Sequence, residues 1–510
     1  MTIDIDSAVF IADVARQRAS DTVIVPNVVG GVEHLEGRLF FREDPNYPDR
    51  HVTGAHGASA ELVNGAVATA RVAQREWERV PPAERAARVG AGVSFVAAHK
   101  QDWATRLAVE TGKSINAIEA DVDEVRGFLD IYSSLGADPG AFVDDLNGSS
   151  AEMASETILR PYGVFGVITP FNYPIALAAG LSIGAVIAGN GLVIKTAEHG
   201  PWSGQAVYEL FSSMDLPDGL VNVVHGGPAV GQALVNSDVD GIGFTGSAAV
   251  GHSIIRQFAE GPFVKPVIAE MGGKNPVIVT DGADLDTAVQ GIVYSGYDLA
   301  GQKCSSGSRV LATPGAYEKV VDLVGKRVRQ LHFGDTIEGA SVFAGPVTAG
   351  AAVERYQRLI AAAKEAGCTV TVGSRPSGDG YFVPPTLISD VPEDHPLARE
   401  EHFLPVVTVS KVESFEQALE AANAVPFGLT AGIFTGSRAE AVEFLERVEA
   451  GCINVNGKGH ATTGFLPGLQ TFGGWKGSAS TGKQAYGKWY LQQFAREQTR
   501  KFPVDFAGLR

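Results

Sequence analysis

Cysteine is scarce in this chain: there are 3 in 510 residues, widely separated, with neither a disulfide framework nor zinc-ligand spacing. Basic residues are outnumbered, 41 Lys and Arg against 58 Asp and Glu, for a formal net charge of −17. A surface of that sign repels nucleic acid and anionic membranes, so neither is expected as a partner. The 11 histidines contain no H-x-x-H or H-E-x-x-H pair, so no metal site is expected. Residues 1–7 carry acids and no base, the reverse of an export leader, and unpaired cysteines suit a reducing cytoplasm. The uncharged stretch 175–194 is interrupted by Gly180, Gly184, Gly189, Asn190 and Gly191. It reads as a helix, a Gly-Asn-Gly turn and a short buried strand ending at Lys195, rather than as a membrane span.

What is present is a globular composition, 45% apolar and 19% charged, in a chain too long for one ordinary domain. The first 60 residues look irregular or strand-rich. Helical patterning then runs from Ser59 to about Leu135, with Ala60–Trp77 and 82–100 as examples; Pro81-Pro82 followed by Glu84 marks a helix start. From Val164 short apolar strands alternate with helices. Strands are expected at 164–169, 192–195, Val221–Val224, Gly241–Thr245 and Val267–Glu270, with helices at 202–214 and 248–258 between them. That alternation is the pattern of a doubly wound α/β sheet. A second α/β run begins near Pro276, with strands at 277–279, Arg309–Ala312, Thr369–Val372, 406–409, 431–434 and Cys452–Val455 and long helices at 316–331 and 349–366. Residues 141–156 and 490–502 fit neither unit. Cys368 and Cys452 each follow a glycine at a helix-to-strand junction and read as inert core thiols.

Cys304 differs, because its frame Gly301-Gln302-Lys303-Cys304-Ser305-Ser306 is polar and small. Upstream, Glu270 sits in Glu270-Met271-Gly272-Gly273-Lys274-Asn275-Pro276. A thiolate attacks a carbonyl, and a carboxylate takes the proton of the water that attacks the resulting thioester. Lys303 is a cation that would favour the thiolate if it came near. Asn172, in Thr169-Pro170-Phe171-Asn172-Tyr173-Pro174 just past a strand end, offers an amide to an oxyanion. Lys195 and Glu198 follow the second strand, where an acid accepts ribose hydroxyls of NAD and repels a 2′-phosphate. Phe244-Thr245-Gly246-Ser247 is a strand-turn-helix start suited to a pyrophosphate, although the turns read as lacking the usual G-x-G-x-x-G dinucleotide fingerprint. Glu401 and Phe403 offer a carboxylate and a ring to a nicotinamide ribose. Each residue alone has a plainer reading: a turn asparagine beside proline, a solvated charge pair, a solvated acidic surface.

Together these motifs resemble the aldehyde dehydrogenase superfamily, from about residue 55 to 500, and within it the 1-pyrroline-5-carboxylate dehydrogenase branch, which oxidises glutamate semialdehyde. Phe472-Gly473-Gly474 and Tyr490-Leu491 add to that likeness, as does Leu181, where many other members have lysine. The resemblance implies an α/β fold with a Rossmann-type NAD domain (1–140 and 157–271), an α/β catalytic domain (272–485) and a small oligomerisation flap (141–156 and 486–510) that pairs subunits into a homodimer or homotetramer. It implies Cys304 as nucleophile, Glu270 as general base acting mainly after hydride transfer, and Asn172 with the Cys304 N–H as oxyanion hole. NAD would be held by Thr169, Lys195, Glu198, Gly246, Ser247, Glu401 and Phe403. Phe171, Ser305, Gly464, Phe465 and Phe472 would line the pocket for a small aldehyde. Thr196 and Leu404 stand where proline and glycine are common and read as packing changes; Ala249 replaces a common glutamate. Phe465 replaces the small residue that, beside Gly464, anchors the substrate's α-carboxylate in that branch. Its ring is expected to make glutamate semialdehyde a poor substrate beside a less polar aldehyde. A coenzyme A-acylating enzyme, a sister-branch α-keto-acid semialdehyde dehydrogenase and an inactive homologue are the rival readings.

Overall fold

The computed structural model describes residues 5–145, 152–374, 378–464 and 468–506. Two seven-stranded sheets dominate it. The first runs in the order Val267–Glu270, Gly241–Thr245, Val164–Ile168, Gly191–Lys195, Val221–Val224, Asn27–Val29, Val32–His34. Its first five strands are parallel and the last two antiparallel. Gly191–Lys195 is buried at every position, as befits a central strand covered by helices on both faces. The chain starts this unit at Val164–Ile168, adds two strands on one side, then returns to add two on the other. In such a sheet ligands lie beyond the carboxyl ends of the strands, where the order reverses. Those ends are Ile168, Lys195, Thr245 and Glu270.

The second sheet runs Thr369–Val372, Thr386–Ser389, Val406–Lys411, Arg309–Ala312, Pro276–Val279, Thr430–Phe434, Cys452–Val455. Only Thr369–Val372 is antiparallel to its neighbour. A third, antiparallel sheet joins Val143–Asp145, Met153–Pro161 and Ala495–Pro503. Its central strand continues past residue 156 to Pro161, because Ala495–Pro503 pairs along its whole length.

Two local expectations fail. The N-terminal region is not merely irregular or strand-rich: Ser7–Ala19 is a helix, capped by the Asp6 carboxylate, which accepts from Ala8 and Val9 N–H. Its buried stripe is only Phe10, Val14 and Arg18, too narrow to announce a helix in sequence. The Arg18 guanidinium donates to Asp44 at 2.6 Å and to Asp335 at 2.7 Å, tying this helix to the second half of the chain. The pattern at 82–100 is not one helix but two, Pro82–Gly90 and Val93–Thr111. Gly92, between them, faces the end of the Met214 side chain, 2.4 Å from where a Cβ would lie. Residues 175–194 form helix Ala176–Ile187 and strand Gly191–Lys195, and no helix among the described residues is long and apolar enough to cross a membrane. Cys368 and Cys452 are both buried.

Candidate active site

The loop leading to Cys304 carries a run of left-handed backbone. Leu299, Ala300 and Gly301 have successive φ values of 52°, 52° and 68°, a left-handed run that two side chains must be forced to adopt. A Cβ at Gly301 would stand 2.1 Å from the Leu404 carbonyl oxygen. Asn275 pins the loop further on: its Nδ2 donates to the Cys304 carbonyl at 2.7 Å and the Ser306 carbonyl at 2.9 Å, while its Oδ1 accepts from Thr430 N–H at 3.0 Å. The Ser305 carbonyl accepts from the Thr462 hydroxyl at 2.7 Å. Asn275 carried no assigned role in the sequence reading; its place beside Gly273-Lys274 was the available signal.

So held, the Cys304 thiol donates to Glu270 Oε1 at 3.3 Å. Glu270 ends strand Val267–Glu270, and burial pushes its carboxyl up to about 7. Burial pushes the thiol well above its usual range, and the neighbouring Glu270 carboxylate adds to that. Lys303 does not act as a cation for the thiolate. Its ammonium pairs with Asp298 and lies over the rings of Tyr173 and Tyr294, at 5.8 and 5.7 Å. The proton acceptor facing Cys304 is therefore a carboxylate.

Asn172 is 5% exposed, and its Nδ2 donates to the Gln302 carbonyl at 3.0 Å, which brings the strand end at Ile168 against the Cys304 loop. Phe171 lies edge-on to Phe403 at 5.9 Å and to His199 at 5.8 Å. It thus meets a residue expected on the cofactor side rather than standing only in the aldehyde pocket. Phe403 itself has a φ of 55°. Glu401 accepts from Gly273 N–H at 3.0 Å, and a Cβ on Gly272 would fall 2.0 Å from its Oε2. The Gly-Gly pair is where this carboxylate approaches the backbone too closely for any side chain. Burial raises Glu401 to about 7.

Thr169, Lys195 and Ser247 lie at the sheet's carboxyl edge. Thr169 N–H donates to the Lys195 carbonyl at 3.2 Å. Lys195 Nζ donates to the Gly226 carbonyl at 3.1 Å, and burial lowers its ammonium to about 8. The Ser247 hydroxyl caps helix Ala248–Ala259 by accepting from Val250 N–H, and Gly246 N–H donates to the Glu270 carbonyl at 3.2 Å. Gly241, Gly243 and Gly246 do have G-x-G-x-x-G spacing, but the first two lie inside strand Gly241–Thr245 and form no phosphate loop.

Beside Glu270 opens a pocket walled by Phe128, Leu181, Ile268, Phe472 and Tyr486. Two charged residues also line it, Glu124 and Lys483; the sequence reading assigned neither. Tyr486 donates its hydroxyl to Glu124 at 3.3 Å. Burial, with the charges of Asp121 and Glu270, raises Glu124 to about 8. Phe472 is buried with Leu429 and Cys452, and Cys304 packs against that group. Gly464 has a φ of 78° and abuts the His460 ring. Phe465 lies outside the described residues.

The chain matches the aldehyde dehydrogenase family over residues 41–499 and belongs to it. The branch resemblance holds as well. The chain is 32% identical over 466 residues to 1-pyrroline-5-carboxylate dehydrogenase of Bacillus subtilis, covering 90% of this chain and 89% of that one. The solved 1-pyrroline-5-carboxylate dehydrogenase from Thermus, with bound NAD, superposes with a TM-score of 0.90 at 29% identity, covering 97% and 96%. Proline utilization A from Bdellovibrio bacteriovorus superposes with a TM-score of 0.92 at 32% identity over 97% of this chain, which spans about half, 51%, of that longer protein.

Proposed function

We propose that this protein is an NAD-dependent aldehyde dehydrogenase that works through Cys304. The observation that carries this reading is the Cys304 thiol donating to Glu270 Oε1 at 3.3 Å. Glu270 takes the thiol proton as Sγ bonds to the aldehyde carbon. The carbonyl oxygen becomes an alkoxide, held by Asn172 Nδ2–H and the Cys304 N–H. An amide nitrogen has two protons, so the bond to Gln302 leaves Asn172 one for the oxyanion. NAD, when bound, accepts the hydride. Glu270, its proton passed to solvent, then takes one from water as the water attacks the thioester on Cys304; the C–S bond breaks, the carboxylic acid leaves, and the departing Cys304 thiolate takes that proton from Glu270. Glu270 thereby serves both steps rather than mainly the second.

The chain's own residues fit the cofactor. Lys195, Glu198 and the Ser247 helix start stand along the strand ends where the sheet order reverses, the place where α/β folds take a dinucleotide. Thr169, Gly246, Glu401 and Phe403 complete the cofactor side. We assign residues 1–140 and 162–271 to the NAD domain, 272–485 to the catalytic domain and 141–161 with 486–510 to the flap, keeping strand Met153–Pro161 whole. The flap sheet's two outer strands, Val143–Asp145 and Ala495–Pro503, offer edges for a homodimer or homotetramer in the cytoplasm.

For substrate, we favour an aldehyde bearing an amino and a carboxyl group, glutamate semialdehyde first. The pocket wall offers Lys483 to the carboxylate and Glu124, raised by burial to about 8, as a polar partner for the amino group, and curated relatives carry the 1-pyrroline-5-carboxylate dehydrogenase name. The Phe465 side chain is the sequence feature that argues the other way. NADH formation over a panel of aldehydes, with and without coenzyme A, tests the whole reading. Glutamate semialdehyde should give the highest kcat/KM, with no requirement for coenzyme A. A straight-chain aldehyde preferred by tenfold or so would transfer the assignment to a less polar substrate, and coenzyme A dependence would make this an acylating enzyme.

A further inference from the structure

Beneath the proposed adenosine end of the cofactor site lies a buried histidine network that the mechanism does not use. His225 follows the strand Val221–Val224, and Thr196 follows its neighbour Gly191–Lys195; both are 0% exposed. The Thr196 hydroxyl lies 2.7 Å from His225 Nδ1. On the other side of the ring, Nε2 faces the Pro26 carbonyl and Gln205 Oε1, each at 3.0 Å. A backbone carbonyl only accepts, so Nε2 carries the ring proton and Nδ1 accepts from Thr196. The ring is neutral: burial lowers it to about 4. The backbone on both sides of the imidazole is fixed as well. His225 N–H donates to Asn27 Oδ1 at 2.7 Å, and its carbonyl accepts from Ala58 N–H at 3.0 Å. Thr196 is therefore more than a packing change from proline, because proline has no hydroxyl to give.

The residues fastened here are the neighbours of the proposed ribose contacts. Lys195 precedes Thr196, and its Nζ donates to the carbonyl of Gly226, which follows His225. A Cβ at Gly227 would lie 2.5 Å from Glu198 Oε2, so that carboxylate rests against the same turn. Gln205 belongs to helix Pro201–Ser212, whose Gly204 packs so closely on Thr196 that a Cβ there would lie 2.5 Å from its methyl. One imidazole thus joins a strand end, a turn and a helix around Lys195 and Glu198. A fully satisfied buried network selects one arrangement of what it joins.

We propose that Thr196 and His225 are positioning residues for NAD, holding Lys195, Glu198 and the Gly226-Gly227 turn in the geometry that receives the adenosine ribose; this rests on the NAD reading above. The test is Thr196→Val, nearly isosteric but without the hydroxyl, in the full-length protein. NAD affinity is read by calorimetry without aldehyde, and kinetics at saturating NAD. Losing a hydrogen bond that leaves a buried nitrogen unpaired should raise the Kd for NAD about tenfold, with kcat within about twofold of wild type. Thr196→Ser should restore the affinity. If the valine variant misfolds, Thr196→Ala, which removes the same hydroxyl from Nδ1, carries the same expectation. Unchanged affinity in the valine or alanine variant, a kcat loss as large as the Kd change, or no rescue by serine would overturn the proposal. Wild-type protein without saturable NAD binding would instead overturn the cofactor reading on which it depends.

Discussion

Glu270→Gln isolates the proton acceptor at the reaction centre. The amide keeps the size of the carboxylate and can still accept from the thiol, but it cannot hold the proton. Two effects follow. Removal of a general base typically slows a reaction by about 10²–10⁴. The carboxyl in the folded protein sits at about 7, raised by burial. Only its ionised form is a base, so activity gains as pH rises through that value. The ionised fraction grows about tenfold between roughly pH 6 and pH 8, and a base-limited rate should climb by the same factor. In the glutamine variant this rising limb should vanish. Because Oε1 accepts directly from Cys304 Sγ–H at 3.3 Å, the loss should reach the first turnover as well. Stopped-flow measurement of NADH over a pH series resolves the two phases. The burst and the steady state should both slow in the variant, the burst by at least tenfold or so. A full-speed burst followed by slow turnover would refute the thiol-activation role and leave Glu270 acting on water alone. A variant that keeps the limb near neutral pH would show that another group titrates there.

Three further outcomes are expected. Cys304→Ala should leave less than about 1% of aldehyde oxidation, since a covalent nucleophile accounts for several powers of ten, while NAD binding by calorimetry survives. Glu198→Gln should narrow a preference for NAD over NADP, measured as the ratio of kcat/KM values, because a 2′-phosphate carries roughly two negative charges toward that carboxylate; equal use of both cofactors by the wild type would remove the basis for it. Lys483→Gln should raise KM for glutamate semialdehyde about threefold while leaving propanal unchanged, since only the former brings a carboxylate to that side chain on the pocket wall. Equal effects on both aldehydes would remove Lys483 from substrate recognition.

Most parallel strands of both sheets were legible from short apolar runs between glycine and proline punctuation, because parallel strands buried on both faces admit little else; Thr386–Ser389 and the antiparallel strands Asn27–Val29 and Val32–His34 were not assigned. Helix Ser7–Ala19 was not, since its buried face is three residues wide and its arginine pays off only against Asp44 and Asp335, far along the chain. The break between Gly90 and Val93 was not legible either, since the apolar periodicity runs through it. At the site, the types and order of Asn172, Glu270 and Cys304 were readable because acyl chemistry calls for an amide, a carboxylate and a thiol. Their mutual geometry was not. Lys303, adjacent in sequence to Cys304, is turned away by Asp298, whereas Asn275 and Glu124, unremarked in the chain, come to hold the loop and face the pocket. Sequence by itself determined which chemical groups are available and the strands that end beside them. Folding decided which group faces which, because a hydrogen bond or a burial shift depends on partners drawn from anywhere in the chain. Thr196 and His225 belong wholly to that second class: two ordinary residues 29 apart whose 2.7 Å contact exists only once their strands lie side by side.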